Sequence, residues 1–270
     1  MPGFRHERGR RDPDNYLFGR KNMYEEEGLV YGRNAVRELL KSGRAVDKIM
    51  IRSGEPEGSL KLIVAEASAR SVPVVAVDRA KLDRICGGTS HQGVAAYAAE
   101  KEYCEPDDIL KIAEERGEMP FIVILDGIED PHNLGAIIRS AECAGAHGVI
   151  IPKRHSAGLS AVVSKSSAGA LEHMAVAKAV NLPSLIDSLK EKGIWIYSAE
   201  AGGESLYSTD LDRPAAFVFG SEGRGVSRLV KEKSDYIISI PLHGQLNSLN
   251  VSAAAAVVLC EAAHRREKAE

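Results

Sequence analysis

From residue 121 the chain alternates short apolar runs with amphipathic stretches. The runs are FIVIL (121–125), HGVII (147–151), HMAVAKA (173–179), IWIYSA (194–199), AAFVF (215–219) and YIISI (236–240). A strand with one wet face would alternate apolar and polar residues. Continuous apolar runs separated by helical stretches instead predict a mostly parallel sheet covered by helices on both faces, an α/β fold. In such sheets ligands bind beyond the carboxyl ends of the strands. The loops after 125, 199, 219 and 240 are therefore where chemistry is to be sought.

The preceding part carries its own periodicity. GRNAVRELLKSG predicts a helix bounded by Gly32 and Gly43, with Val36, Leu39 and Leu40 on one face. A strand in DKIMIRSG, a helix around 59–70, a strand in VPVVAVD, a short helix around 79–85 and a strand in GVAAYAA follow. These make a small α/β unit over 28–100. EKEYCEPDD is charged and contains Pro106, so 101–119 reads as a linker to a second domain over 120–270. Residues 1–27 have few aliphatics and read as a flexible tail.

Composition removes several function classes. No apolar run approaches the roughly 20 residues of a membrane span, and MPGFRHERGRRDPDN lacks the apolar core of a secretory signal. Cys86, Cys104, Cys143 and Cys260 are scattered without a C-x-x-C pair, so neither a metal site nor a disulfide framework is expected. Reduced thiols in a cytoplasm are the default. The net charge of −3 calls for no polyanion. Its distribution is uneven, however: the first 100 residues hold 17 Lys and Arg against 14 Asp and Glu, and the remainder 18 against 24. That leans the N-terminal part towards nucleic acid, although a solvated charged face explains it almost as well.

The strand-end loops are unusual in what they contain. LDGIEDPHNLGAIIRSAECAG sets Asn133 before a helix and Arg139 about two turns in, among small and apolar residues. Asn133 could be a helix cap and Arg139 a surface cation, or both could face a ligand. SAEAGGESL holds Gly202 and Gly203, and GSEGRGVS holds Glu222. In QLNSLNVSAAAA (245–256), Asn247, Ser248, Asn250 and Ser252 crowd one helix entry, where a single cap would suffice. No G-x-G-x-x-G follows the first strand of a βαβ unit and no G-x-x-x-x-G-K-[ST] occurs, which excludes dinucleotide and P-loop readings. There is no Ser-His-Asp set, and His132 and His243 read as bystanders. Backbone-rich loops with amides and hydroxyls, together with Arg139 and Glu222, suit a neutral cofactor body beside a polyanion.

DPHNLGAIIRSAECAG, FVFGSEGRGVS and ISIPLHGQLNSLNVSAAAAVVLCE resemble, in order and spacing, the three motifs of the SpoU (TrmH) family of RNA ribose methyltransferases. VYGRNAVRELL, DKIMI and SHQGVAAYA resemble the substrate-binding domain of its RlmB-type branch. The resemblance implies a catalytic domain whose sheet is threaded into a trefoil knot, preceded by a small RNA-binding domain. It implies S-adenosylmethionine as cofactor, contacted at Ala199, Gly220, Ile240 and Leu249. The catalytic set it carries over is Asn133, Arg139, Glu222, Ser248 and Asn250. The implied reaction is 2′-O-methylation of a guanosine in large-subunit ribosomal RNA, with a transfer-RNA ribose as the alternative target.

Two rival readings are a non-catalytic RNA-binding protein of the same fold and an α/β enzyme acting on a small metabolite. The intact catalytic set argues against the first, and the separate N-terminal unit against the second. The proton acceptor stays open. Arg139 is the family's usual candidate, but a guanidinium holds its proton too tightly, which suits it better to clamping a phosphate. A homodimer is also expected. Val251, Ala254, Ala255, Val258, Leu259 and Ala262 span an arc wider than one core needs, so a partner would cover the second face.

Overall fold

A computed structural model describes residues 28–88 and 90–267. The tail expected over 1–27 lies outside the described residues. The first unit runs β1 (Leu29–Tyr31), α1 (Arg33–Ser42), β2 (Val46–Arg52), α2 (Ser59–Ala69), β3 (Val74–Val77), α3 (Arg79–Ile85) and β4 (Val94–Ala98). Its sheet has the order β1-β4-β2-β3, with β4 antiparallel to both neighbours and β2 parallel to β3. Val36, Leu39 and Leu40 of α1 are buried against Ile49 and Ile63, as the helical stripe predicts. The apolar pattern gave no sign of β1, a strand of only three residues. Gly28 makes it possible: at φ 71°, a Cβ there would sit 2.1 Å from the Ala98 carbonyl oxygen.

The second unit runs α4 (Pro106–Arg116), β5 (Phe121–Asp126), α5 (Pro131–Cys143), β6 (Gly148–Pro152) and α6 (Ala161–Ser166). After a 3-10 turn at Ala170–Glu172 come β7 (Ala175–Ala179), α7 (Leu182–Glu191), β8 (Trp195–Ser205), β9 (Ala215–Gly220), α8 (Arg228–Lys233), β10 (Tyr236–Ser239) and α9 (Val251–Glu267). The sheet order is β10-β8-β9-β5-β6-β7 and every recorded pairing is parallel. Alternate residues of β5 point to opposite cores. Phe121, Val123 and Leu125 pack with α5, α6 and α9, while Ile122 and Ile124 pack with α4, α7 and α8. Both faces are covered, which is why these strands read as unbroken apolar runs. The chain leaves β5 towards β6 and β7, then crosses back to build β8, β9 and β10 on the other side. The topological switch falls between β5 and β9, where such sheets place ligands.

The stretch expected to be a linker is more structured than its charges suggest. Cys104 bridges to Ala177, its N–H donating to the Val176 carbonyl at 3.0 Å. Pro106 starts α4, a position where its missing N–H costs nothing. Ile109 of α4 is buried so tightly that a Cβ on Gly148 would meet its Cδ1 at 2.5 Å. The acidic positions occupy the outer face, and so hid an amphipathic helix that packs on the second sheet.

The units meet at Glu172, whose side chain is 1% exposed. Its Oε2 accepts from Ser42 Oγ at 3.4 Å, and its backbone oxygen accepts from Lys101 Nζ at 3.3 Å. Arg44 Nη1 lies 3.3 Å from Oε1, close enough to pair as ions though not aligned as a hydrogen bond. Burial pushes the Glu172 carboxyl upward in pKa, against the pull of Arg44 and Lys101. Beside it, His173 Nε2 and Glu38 Oε2 are 2.9 Å apart.

Candidate active site

The loop after β5 becomes α5 without using Asn133 as its cap. Asp130 takes that position, its Oδ1 accepting from the His132 N–H at 2.8 Å, and Pro131 opens the helix. Asn133 therefore sits in the first turn with its amide free, and it is buried. Its Nδ2 donates to Glu222 Oε1 at 3.1 Å. Its Oδ1 accepts from Asn250 Nδ2 at 3.0 Å, and the same Nδ2 lies 2.6 Å from Glu222 Oε1. Three side chains, separated by 89 and 28 residues along the chain, close one polar triangle at the switch point.

Asn250 resolves the crowded helix entry. Its Oδ1 caps α9, accepting from the Ser252 N–H at 2.9 Å and from Ser252 Oγ at 2.6 Å. Its Nδ2 faces the other way, to Asn133 and Glu222. One amide thus serves the helix with its oxygen and the site with its nitrogen, which an ionised carboxylate could not do. Ser248 is exposed and makes no hydrogen bond with another described residue. Nor does Asn247.

Arg139 is not joined to the triangle. It is exposed and makes no hydrogen bond or ion pair with another described residue. Six residues beyond Asn133, it points roughly a third of a turn away round α5. Glu222 makes no hydrogen bond or ion pair with Arg139; its Oε1 accepts from the two asparagines.

Glu222 rides on a loop whose ends are held fast. A Cβ on Gly220 would lie 2.0 Å from the Gly225 carbonyl carbon, so the loop folds back onto bare backbone. The Gly225 N–H donates to the Ser221 carbonyl at 2.9 Å. Two carboxylates that the sequence patterns did not single out secure the far end. Asp126 Oδ2 accepts from the Ser227 N–H at 2.8 Å, and Glu200 Oε1 accepts from the Val226 N–H. Both directly follow apolar strand runs, a signal that could have found them. Around this loop opens a recess of about 560 Å³. Asp126, Glu129, Asp130, Asn133, Glu222 and Arg224 line it, with His155 from the loop after β6. That last loop was not among those singled out in the sequence.

The four cofactor candidates form a separate group. Ala199, Gly220 and Ile240 lie on or just past β8, β9 and β10, three adjacent strands. Between β10 and β8 the register jumps: Ile237 pairs with Ser198 but Ile238 with Glu204, so 199–203 loops out of the ladder. Leu249 precedes α9 and is 43% exposed, with Leu242 at 40% and Leu246 at 80% on the same loop. No backbone group from 241 to 249 hydrogen-bonds within the described residues. None of the four lines the recess, which borders the polar triangle instead. Among the described residues, no cluster of His, Cys, Asp or Glu could hold a metal ion, and no helix is long and apolar enough to cross a membrane.

Comparison with known proteins bears on both units. Residues 120–260 match the SpoU rRNA Methylase family, and residues 29–104 match the RNA 2′-O ribose methyltransferase substrate binding family. A Bacillus subtilis (strain 168) relative, provisionally named TrmH family tRNA/rRNA methyltransferase YacO, is 43% identical over 90% of this chain and 98% of its own. The crystal structure of the SpoU methyltransferase AviRb from Streptomyces viridochromogenes, in complex with AdoMet, has a TM-score of 0.74. It is 23% identical and covers 94% of this chain and 97% of that one, which speaks to the fold alone. A provisionally named RNA methyltransferase of the TrmH family from Porphyromonas gingivalis has a TM-score of 0.69 at 27% identity, covering 91% of both chains.

Proposed function

The chain belongs to the SpoU rRNA methylase family, and from that premise we propose that it methylates the 2′-hydroxyl of a guanosine in large-subunit ribosomal RNA, using S-adenosylmethionine. The observation that carries this is the triangle of Asn133, Glu222 and Asn250, three strand-end motifs joined by direct hydrogen bonds. A non-catalytic RNA binder has no need to hold these groups together. Residues 241–249 fit the cofactor. They offer unpaired backbone amides and carbonyls for a purine edge, and exposed leucines for its faces. With Ala199, Gly220, Ile240 and Leu249 they would hold it at the ends of β8, β9 and β10. S-adenosylmethionine supplies a methyl on a sulfonium, so the chain's task is to present a nucleophilic oxygen to it.

A ribose hydroxyl is a weak nucleophile whose proton must be shared as it attacks. Glu222, the carboxylate of the triangle, is the acceptor we assign. Its Oε1 is occupied by amide donors that fix its direction, and no hydrogen bond from a described residue reaches its Oε2. Ser248, exposed two residues before Asn250, is assigned to the substrate. Arg139 carries a fixed charge suited to the phosphate and to the developing alkoxide. Alignment of hydroxyl and methyl supplies the larger share, up to roughly 7–11 kcal/mol in well-oriented systems. Such an RNA target places the work in the cytoplasm, and the knotted threading of the sheet belongs to the same reading.

The homodimer is part of this proposal on altered grounds. Val251, Ala255, Val258, Leu259 and Ala262 are buried by the chain's own sheet and α5, so that arc requires no partner. What stays open is the outer face of α5 and α9. Cys143, Ala253 and Cys260 are exposed there, and Cys143 stands four residues after Arg139 on α5. A second copy on this face would bring Arg139 towards the neighbouring site. Transfer RNA is the alternative target, favoured by the dual name of the Bacillus subtilis relative. The deciding experiment incubates the protein with labelled S-adenosylmethionine and unmethylated transcripts of both RNA classes. Ribose-methylated guanosine in the ribosomal transcript alone supports the proposal; label in the transfer RNA alone transfers it to the alternative; no label in either refutes it.

A further inference from the structure

The loop after β6 connects two recesses. His155 lines the catalytic recess together with Asn133 and Glu222. Leu159 and Ser160 line a second cleft of about 380 Å³ between the two units, which Arg44, Lys101, Tyr103 and Ser164 also border. The loop between is pinned. Ser156 Oγ donates to the Pro152 carbonyl at 2.6 Å, the Ala157 N–H to the Ile128 carbonyl at 2.8 Å, and the Leu159 N–H to Tyr103 Oη at 3.0 Å. His155 is held at φ 57°, a left-handed conformation that a non-glycine residue adopts only where its surroundings impose it. With its backbone fixed, the loop exposes Lys153 and Arg154, whose side chains make no hydrogen bond or ion pair with another described residue.

Charge decides what this arrangement can carry. The catalytic recess is lined by Asp126, Glu129, Asp130 and Glu222 against Arg224 and His155. Asp126 and Asp130 are engaged with backbone N–H groups, but the balance still repels phosphate. A ribose can enter there, whereas the phosphates beside it need cations outside. Lys153 and Arg154 stand at that rim. In the second cleft Arg44 and Lys101 face the single buried carboxylate Glu172, while Glu100 sits on the lining. Burial lowers the pKa of both cations, the mark of charges deprived of water. Ser164 Oγ, on the lining of the same cleft, is buried without a partner among the described residues.

We propose that Lys153–Ser160 is the track along which the RNA backbone runs from the catalytic recess to the cleft between the units, its phosphates held by Lys153 and Arg154 on the loop and by Lys101 and Arg44 in the cleft. This rests on the reading of RNA as substrate. It adds a binding surface outside the N-terminal sheet and explains how one strand can touch both units.

The test measures affinity for an unmethylated transcript of large-subunit ribosomal RNA as a function of salt. Removing one cation that neutralises a phosphate lowers the slope of log affinity against log salt by roughly 0.7 on single strands. Lys153→Ala with Arg154→Ala should lower the slope by about 1.4 and cost about tenfold in affinity near physiological salt. Lys101→Gln should lower it by about 0.7, and Gln can keep the bond to the Glu172 carbonyl. Lys192→Gln, outside the track, should leave it unchanged. Cofactor binding and melting temperature, recorded on every variant, confirm folding. Unchanged slopes in both track variants, or an equal fall in Lys192→Gln, would overturn the track. Methyl transfer by the unaltered protein is scored separately, so a failure of the enzymatic reading shows as no transfer at all while the slopes still report on binding.

Discussion

Two carboxylates sit in polar clusters of this molecule under opposite conditions. Glu222 is exposed, held by two neutral amides, and borders an open recess. Glu172 has a side chain only 1% exposed and faces Arg44 where the two units meet. A buried ion pair loses much of its Coulombic gain to desolvation, so such a cluster fixes one arrangement of its neighbours. An exposed carboxylate directed by amides keeps its reactivity and contributes little to stability. On the proposed role of Glu222 the first serves chemistry, whereas the second serves architecture, although a sequence shows both as a lone Glu.

The difference can be broken from either side. The largest effect is expected on transfer. Arg139→Ala should lower the single-turnover rate by roughly 10²–10³-fold, as loss of a charge-stabilising group does. Cofactor affinity should stay within a few-fold, and most of the activity surviving would remove Arg139 from the mechanism. Asn250→Asp should approach the same loss, because it keeps the cap oxygen of α9 but sets a carboxylate against Glu222. A thermal melt should show a change of no more than about 1 kcal/mol, the worth of a cap. Full activity in Asn250→Asp would show that the triangle is incidental.

Glu172→Ala should do the reverse. Leaving Arg44 without its partner costs about 3–5 kcal/mol. That is a fall of roughly 10 °C in melting temperature for a protein of this size, while the rate at low temperature stays within a few-fold. A rate loss as large as that of Arg139→Ala would erase the distinction.

A finer comparison concerns Glu200, which touches neither cluster but holds the root of the Glu222 loop. Glu200→Gln keeps an acceptor for the Val226 N–H and should retain most activity, whereas Glu200→Ala should lower kcat several-fold with little change in KM. Equal rates in the two variants would remove Glu200 from the positioning of that loop.

The smallest effect is a pH slope. His147 is buried, with Nδ1 accepting from the Phe121 N–H and Nε2 beside Glu118, and burial lowers its pKa despite that carboxylate. The folded state therefore favours the neutral ring. Its contribution is present above the unfolded value of about 6.5 and is lost as pH falls from there towards the folded value. Melting temperature should drop between about pH 7.5 and 5, and His147→Gln should flatten the curve. An identical slope in that variant would assign the pH effect elsewhere.

The strands of the second sheet were legible because burial on both faces writes itself as unbroken apolar runs; each of the six runs overlaps its strand, with edges one or two residues off and β8 six residues longer. The helix α1 was legible from its apolar stripe, and α2 and α3 stand where helices were expected around 59–70 and 79–85. The order of the strands was not, since it depends on contacts between distant residues that no local pattern encodes. For the same reason the sequence could suggest Asn133, Glu222 and Asn250 through resemblance but could not join them, and it left Asn133 undecided between cap and site. Asp130 took the cap because Pro131 fixed the start of the helix ahead of Asn133. The helix α4 within 101–119 was not legible because its surface charges mask its buried face. Asp126 and Glu200 stayed hidden because carboxylates at strand ends are common, and their value lies in backbone N–H groups 101 and 26 positions away respectively.

The double duty of Asn250 also sets an order in time. Every other described element precedes α9 along the chain, so ribosomal synthesis delivers α9 after all of them. Until it emerges and docks on α5, Asn133 and Glu222 lack their third partner and the loop over 241–249 has no anchored end. On the proposed role of the triangle, competence to act would arrive with α9, with no need of a separate inhibitor before it docks.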